Sequence, residues 1–121
     1  MAYQRATILF AHGSRDPLWS RPIEAVAARM QQQEPGAAVC CAYLELTAPD
    51  LPSVVAQLVA GGASAIVVVP MFLGVGRHAR HDLPALVAHL SGQYPALQIE
   101  LRPAVGEDPR VIDLLARIAL D

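Results

Sequence analysis

At 121 residues, 54% of them hydrophobic, the chain has the length of one domain with a real core. Its formal net charge of −2 argues against a general affinity for nucleic acid or an anionic membrane. No apolar run reaches the roughly 20 residues of a membrane span. The opening MAYQRATILFAHGSRD lacks the basic start, apolar stretch and cleavage site of a secretory signal, so the expected compartment is the cytoplasm.

The first buried strand is expected over Thr7 to Ala11, stopping at His12-Gly13-Ser14. A helix follows, with Ile23, Val26, Ala27 and Met30 on one face. Pro35-Gly36 ends it. The second strand runs from about Ala38 to Leu44, with Glu45 at its end. Neighbours on a strand point to opposite faces, so the adjacent Cys40 and Cys41 cannot easily share a metal. They read as core or interface residues, with no disulfide framework.

TAPDLP opens a second helix whose inward stripe is Leu51, Val54, Val55, Leu58 and Val59, closed by Gly61-Gly62. SAIVVVP is a third strand, apolar on both faces and so expected to be central. After FLGVGRHARHDLP comes a third helix with Leu83, Leu86, Val87 and Leu90 in register. LQIELR is a more polar strand, expected at an edge. Asp108-Pro109 caps a last helix, with Val111, Leu114, Leu115 and Ile118 expected to face inward.

The order βαβαβαβα implies one α/β domain: a parallel four-stranded sheet flanked by helices, with flavodoxin-like strand order 2-1-3-4. Such sheets bind ligands beyond the carboxyl ends of their strands, near the point where strand order reverses. Three metal-capable side chains fall there: His12 after the first strand, Glu45 after the second and His78 after the third. Each also has a plainer reading. His12 can be a turn histidine, Gly13 and Ser14 a helix cap, and Glu45 a solvated strand end. His78 and His81 lie three apart, close enough to chelate if helical, although one ligand beside one solvent-facing residue is the simpler arrangement. His89 reads as surface.

Two rival chemistries fit parts of the pattern. Gly74-Val75-Gly76-Arg77-His78-Ala79 matches a G-x-G-x-x-A nucleotide loop, with Glu100 at roughly the distance of a ribose-binding acid. It follows the third strand rather than the first, and Arg77-His78 would crowd a pyrophosphate. His12-Gly13 evokes a histidine phosphatase, but Ala11 stands where the phosphate-clamping arginine belongs.

From about Ile8 to Leu90 the chain resembles the class II tetrapyrrole chelatases, specifically the short sirohydrochlorin cobaltochelatases of the CbiX type. The likeness rests on AHGSRD, on AYLELTAPDLPSVVAQL and on IVVVPMFLGVGRHARHDLP. The family's G-x-H followed by three residues and D-[IL]-P is met by Gly76, His78, Asp82, Leu83 and Pro84, and its H-G-S-R by His12 to Arg15. His81 falls in a variable slot of that pattern. The resemblance implies a single chelatase-like domain that inserts a divalent metal, cobalt first and iron or nickel as alternatives, into sirohydrochlorin or a precorrin.

The metal is then a substrate, and no organic cofactor is implied. His12, His78 and Glu45 become the metal-binding and catalytic set, since neutral imidazoles suit these metals and can accept protons near neutrality. Ser14, Arg15, Gly76, Arg77 and Arg80 are assigned to the tetrapyrrole, whose rim carboxylates arginine can hold with two hydrogen bonds. All nine basic residues are arginine, for which biased base composition is the plainer account and carboxylate or phosphate binding the functional one. Met71-Phe72-Leu73 can lie on the macrocycle or in the core. Asp82 either orients His78 or caps the helix. Larger relatives look like two such domains in one chain, so a homodimer with a shared cleft is expected. A carrier of metal or tetrapyrrole with the same ligands is the non-enzymatic alternative.

Overall fold

The computed structural model describes residues 5–121. Strands β1 (Arg5–Ala11), β2 (Ala38–Tyr43), β3 (Ala65–Pro70) and β4 (Gln98–Leu101) alternate with helices α1 (Arg21–Gln33), α2 (Leu51–Ala60), α3 (Arg77–Gln93) and α4 (Pro109–Leu120). The four strands are parallel, in the order β2-β1-β3-β4. This is the expected architecture. β1 and β3 are both central, and the more polar β4 takes an edge, with its Glu100 paired to Arg102 in the solvent.

The sheet buries its two faces unequally. On one face Ala6, Ile8, Phe10, Ala42, Ile66 and Val68 pack against α2 and α3 to form the core. Leu51, Val54 and Val55 of α2 and Leu83, Val87 and Leu90 of α3 supply the helical side, as their spacing requires. Asp50 caps α2, its carboxylate accepting from the Ser53 amide. On the other face α1 lies over β2 and β1. Trp19, just before that helix, meets Tyr43 edge to face.

Two expectations of burial fail. No residue of α1 is fully buried: Ile23, Ala27 and Met30 are half-buried and Val26 is exposed. The stripe of α4 does not turn inward at all. Val111 is half-buried, while Leu114, Leu115 and Ile118 are 54%, 42% and 60% exposed. The physical reason is direction. The helix starts immediately after a short 3-10 turn, η1 (Val105–Glu107), and leaves the sheet instead of returning across it. Its cap is as expected: Asp108 accepts from the Arg110 amide and holds the Arg110 guanidinium with both carboxylate oxygens, at 3.0 and 2.7 Å.

Cys40 and Cys41 are free and half-buried. Burial pushes both thiols up, and the Glu24 carboxylate adds to this at Cys41, so neither is a ready thiolate at neutral pH.

Leu90 is 1% exposed at the centre of the core, and Leu90→Ala is expected to lower the unfolding free energy by about 2–5 kcal/mol in urea titration. A second expectation concerns acid. Hydrogen bonds from Arg110 hold the Asp108 carboxyl down at about 2, against an ordinary 3.8. The unfolded chain therefore takes up this proton at higher pH than the folded one. The stabilising effect is full above about pH 4 and disappears as pH falls through about 2. A carboxyl titration followed by NMR should show that midpoint, and Arg110→Ala should return it to the ordinary range.

Candidate functional site

β1 has a neighbour on each side, and its hydrogen-bond ladder to the β2 side runs on beyond the strand. The Leu44 amide donates to the Ala11 carbonyl and the Glu45 amide to the His12 carbonyl, at 2.9 and 3.0 Å. His12 and Glu45 are therefore adjacent by backbone pairing, just beyond the rim. Gly13 follows with φ +98°, a conformation L side chains rarely adopt, and a methyl at its Cα would collide with the Glu45 carbonyl. Glycine is required at this position to bring the two segments so close.

Glu45 sits in a strained turn. The Thr47 amide donates to the Glu45 carbonyl at 2.8 Å, closing a three-residue turn around Leu46, whose φ of 65° is unfavourable for a leucine. The turn is held from across the site. Thr47 Oγ1 accepts from the Ser14 amide at 2.9 Å and donates to the Ser14 carbonyl. The Ser14 hydroxyl oxygen in turn accepts from the Asp16 amide. Ser14 thus contributes its backbone to the clamp and its side chain to the turn after it. It does not cap α1, which begins only at Arg21.

At the end of β3, the Met71 amide donates to the Phe10 carbonyl at 2.7 Å, tying the strand end to β1. The tract Met71-Phe72-Leu73 divides its roles. Phe72 is core, 3% exposed, and its ring lies under His12 with centroids 4.3 Å apart and planes 29° from parallel. Met71 is half-buried, and Leu73 projects into solvent. With Leu44 and Leu46, also exposed, Leu73 gives the rim three apolar side chains beside His12 and Glu45.

α3 opens the third side. Gly76 is its N-cap, without a side-chain cap bond, and His78 is the second helical residue, exposed. Asp82, one turn on, is not the cap, and among the described residues it makes no hydrogen bond to His78 either. Pro84 lies inside the helix and lacks an N–H for the Arg80 carbonyl, so the turn bearing His78 is tied to the rest of α3 by one bond fewer. Gly74 and Gly76 have ordinary φ values, and a Cβ at either would meet open space. No sharp turn requires glycine at either position; what the two glycines leave is room at the rim. Arg15, Arg77 and Arg80 are exposed and form no ion pair among the described residues, so their guanidiniums remain available.

The structure thus joins His12 to Glu45 through the backbone and to Phe72 through ring stacking. It puts His78 at the start of the helix after β3, and His81 and His89 farther along that helix, exposed. Among the described residues no three histidine, cysteine or acidic side chains form a group that holds a metal. The hollow of about 490 Å³ beyond β2 is lined by Glu45, Leu46 and Thr47 but not by either rim histidine. The rim is open to solvent, with His12 and His78 both exposed. Thr47 and Gly106 are structural supports that the sequence pattern did not single out, and Phe72 takes the core place that was one of its two expected roles. A methyl on Gly106 would strike the Leu73 backbone, and its amide donates to the Phe72 carbonyl at 2.9 Å. No helix of the described residues is long and apolar enough to cross a membrane.

Residues 6–120 match the family model described as CbiX. The chain belongs to the CbiX family. The sirohydrochlorin cobaltochelatase of Methanothermobacter thermautotrophicus is 32% identical to it over 80 residues, covering 66% of this chain and 55% of that protein. The sirohydrochlorin ferrochelatase of Priestia megaterium is 29% identical over 115 residues, covering 93% of this chain and 42% of that one. The crystal structure of a putative cobalamin (vitamin B12) biosynthesis CbiX protein from Marinobacter aquaeolei superposes with a TM-score of 0.83 at 32% identity, covering 96% of this chain and 94% of that one. The matched region therefore spans only about half the length of these curated relatives, and nearly all of the structural neighbour.

In this CbiX-family chain, Gly13→Ala is expected to force the His12 and Glu45 segments apart. The variant should unfold at a lower temperature than wild type and lose the NOE contacts between the His12 and Phe72 rings. Retention of both contacts and stability would show that the close approach does not matter.

Proposed function

We propose that this CbiX-family chain is a sirohydrochlorin chelatase that inserts a divalent metal ion into the macrocycle, with cobalt as the preferred substrate metal. The observation that carries the reading is His12. It stands at the switch point of a parallel sheet, stacked on Phe72 and paired by backbone to Glu45, in a family whose named members include sirohydrochlorin chelatases.

The chemistry needs three things from the chain. Metal insertion replaces two pyrrole N–H protons by one M²⁺, so two N–H bonds break and two protons must leave as the four ring nitrogens take up the metal. The His12 and His78 imidazoles, when neutral, hold the incoming cation through nitrogen and accept those protons as it passes to the ring. Glu45 supplies a carboxylate beside His12 that steadies the cation or takes up a proton. The macrocycle lies flat on Leu44, Leu46 and Leu73, where burying apolar area favours binding. Arg15, Arg77 and Arg80 take its rim carboxylates, and the open space at Gly76 leaves the ring edge free to approach.

The reading treats the chain as one chelatase-like domain working in the cytoplasm as a homodimer. One rim is open, and a second copy facing it across a two-fold axis would close the cleft and keep water from the exchanging metal. Iron is the second choice of metal, on the strength of the Priestia megaterium ferrochelatase relative; imidazole and carboxylate ligands accept Co²⁺, Fe²⁺ and Ni²⁺ alike.

Purified protein mixed with sirohydrochlorin and each metal in turn should accelerate the absorbance change of insertion, fastest with Co²⁺. Binding without acceleration would turn the reading into a carrier of metal or tetrapyrrole. Tight binding of a nicotinamide or flavin nucleotide with no insertion would favour the Gly74–Gly76 loop as a nucleotide site. Among the histidines, His12→Ala and His78→Ala should each slow insertion by roughly a hundredfold or more, as loss of a ligand or base does. His81→Ala and His89→Ala should stay within a few-fold of wild type. Equal losses at all four positions would overturn the assignment.

A further inference from the structure

We infer that Thr47 is a positioning residue for the metal: its hydroxyl carries the β1–β2 pairing past the end of both strands and so keeps the Glu45 carboxylate beside His12. The inference rests on the chelatase reading above and adds a residue to the same site.

Beyond Glu45 the two backbones stop pairing. Their last main-chain bond runs from the Glu45 amide to the His12 carbonyl. Two residues after His12 comes Ser14, and by then the other chain has turned at Leu46. One side chain takes over from the missing strand. Thr47 Oγ1 accepts from the Ser14 amide at 2.9 Å and donates to the Ser14 carbonyl. A parallel neighbour would satisfy that amide and carbonyl with two backbone groups of its own. The threonine does it with a single hydroxyl. Both bonds are partly buried, where water competes for them less.

The turn that these bonds close is uphill. Leu46 has φ 65°, a left-handed backbone disfavoured for a leucine. The bond from the Thr47 amide to the Glu45 carbonyl closes the turn but does not relieve that strain. Without the hydroxyl clamp, Leu46 can return to an ordinary negative φ, and the peptide joining it to Glu45 rotates. Glu45 has nothing else to keep it in place. It is exposed, and among the described residues its side chain makes no hydrogen bond or ion pair. Its backbone therefore decides where its carboxylate can reach. Gly13 lets the two segments approach but has no side chain with which to hold them. Strain that is kept beside a histidine and a carboxylate, by a bond from across the site, marks a place where geometry serves chemistry.

Two substitutions separate the hydroxyl from the shape of the side chain. Thr47→Val keeps the shape and removes both bonds, and Thr47→Ser keeps both bonds. With sirohydrochlorin and Co²⁺, Thr47→Val should lower kcat by about tenfold and leave KM for the macrocycle within about twofold, because it misplaces a ligand and spares the apolar bed. Thr47→Ser should restore kcat. In a Glu45→Gln background, Thr47→Val should cost less than about twofold, since a residue that acts through Glu45 then has nothing to position. A full loss on top of Glu45→Gln, or no rescue by serine, would make Thr47 a support of the fold alone and overturn the proposal. Should valine not fold at this position, Thr47→Ala removes the same two bonds.

Co²⁺ without macrocycle gives a readout that needs no insertion. In wild type the paramagnetic ion should shift or broaden the NMR signals of the His12 ring and of the Glu45 side chain together. In Thr47→Val only the His12 ring should respond. Glu45 signals that respond equally in both proteins, or in neither, overturn the proposal. A wild-type chain that shows the paired response and inserts no metal strikes the chelatase reading and leaves Thr47 as the residue that positions Glu45 for the cation.

Discussion

Everything at the rim hangs on the pairing of β1 on both sides. Ala6 to Phe10 are matched residue by residue with β2 and with β3, so β1 has no freedom to slide or twist independently. A one-residue slip would turn Ile8 and Phe10 out of the core and Leu9 into it. Because the ladder continues through Ala11 and His12 to Leu44 and Glu45, that fixed register reaches the first residues of the site. His12 takes its position from the most constrained strand of the molecule, although it lies in a loop.

The second shaping force is local strain held by distant contacts. Leu46 adopts a left-handed backbone that costs about 1–3 kcal/mol, and Gly13 a conformation open to glycine almost alone. Neither would persist in an isolated peptide. The Thr47–Ser14 pair of hydrogen bonds and the close contact of Gly13 with Glu45 keep the two turns in one arrangement. The ring of Phe72, fixed in the core, sets the plane of the His12 imidazole from below. Strain concentrated next to one histidine and one carboxylate separates this rim from the other end of the sheet.

What could be foreseen from the sequence follows from the range of the forces involved. The stripes of α2 and α3 were legible because each side chain's burial is dictated by helical period and a nearby sheet. The strand order and the collection of His12, Glu45 and His78 at one rim followed from βα alternation and crossover handedness. The stripe of α4 was visible too, but amphipathicity fixes which side chains share a face and not the direction in which the helix leaves the turn before it. Its exposure could not be read from period alone. The Thr47 clamp, the stacking of Phe72 under His12 and the tight seat of Gly106 join residues 33 to 60 positions apart or sit in irregular turns. No short-range pattern marks such contacts. Asp82 shows the opposite error: a motif position suggested a cap or a histidine partner, and the helix uses Gly76 instead.

The strand order also governs when the site can exist during synthesis. β1 is made first, yet Arg5 pairs with Ala65 and Phe10 with Pro70, each 60 residues later. Until β3 has left the ribosome, β1 has at best one neighbour, and Phe72 is not yet there to support His12. Closing so long a loop before its contacts are gained slows folding of parallel sheets. During this interval Ile8, Leu9 and Phe10 form an apolar strand open on one side, the kind of nascent segment that invites aggregation or chaperone capture. A chain of this topology builds its earliest-made residues into a finished rim only after more than half of it has been translated.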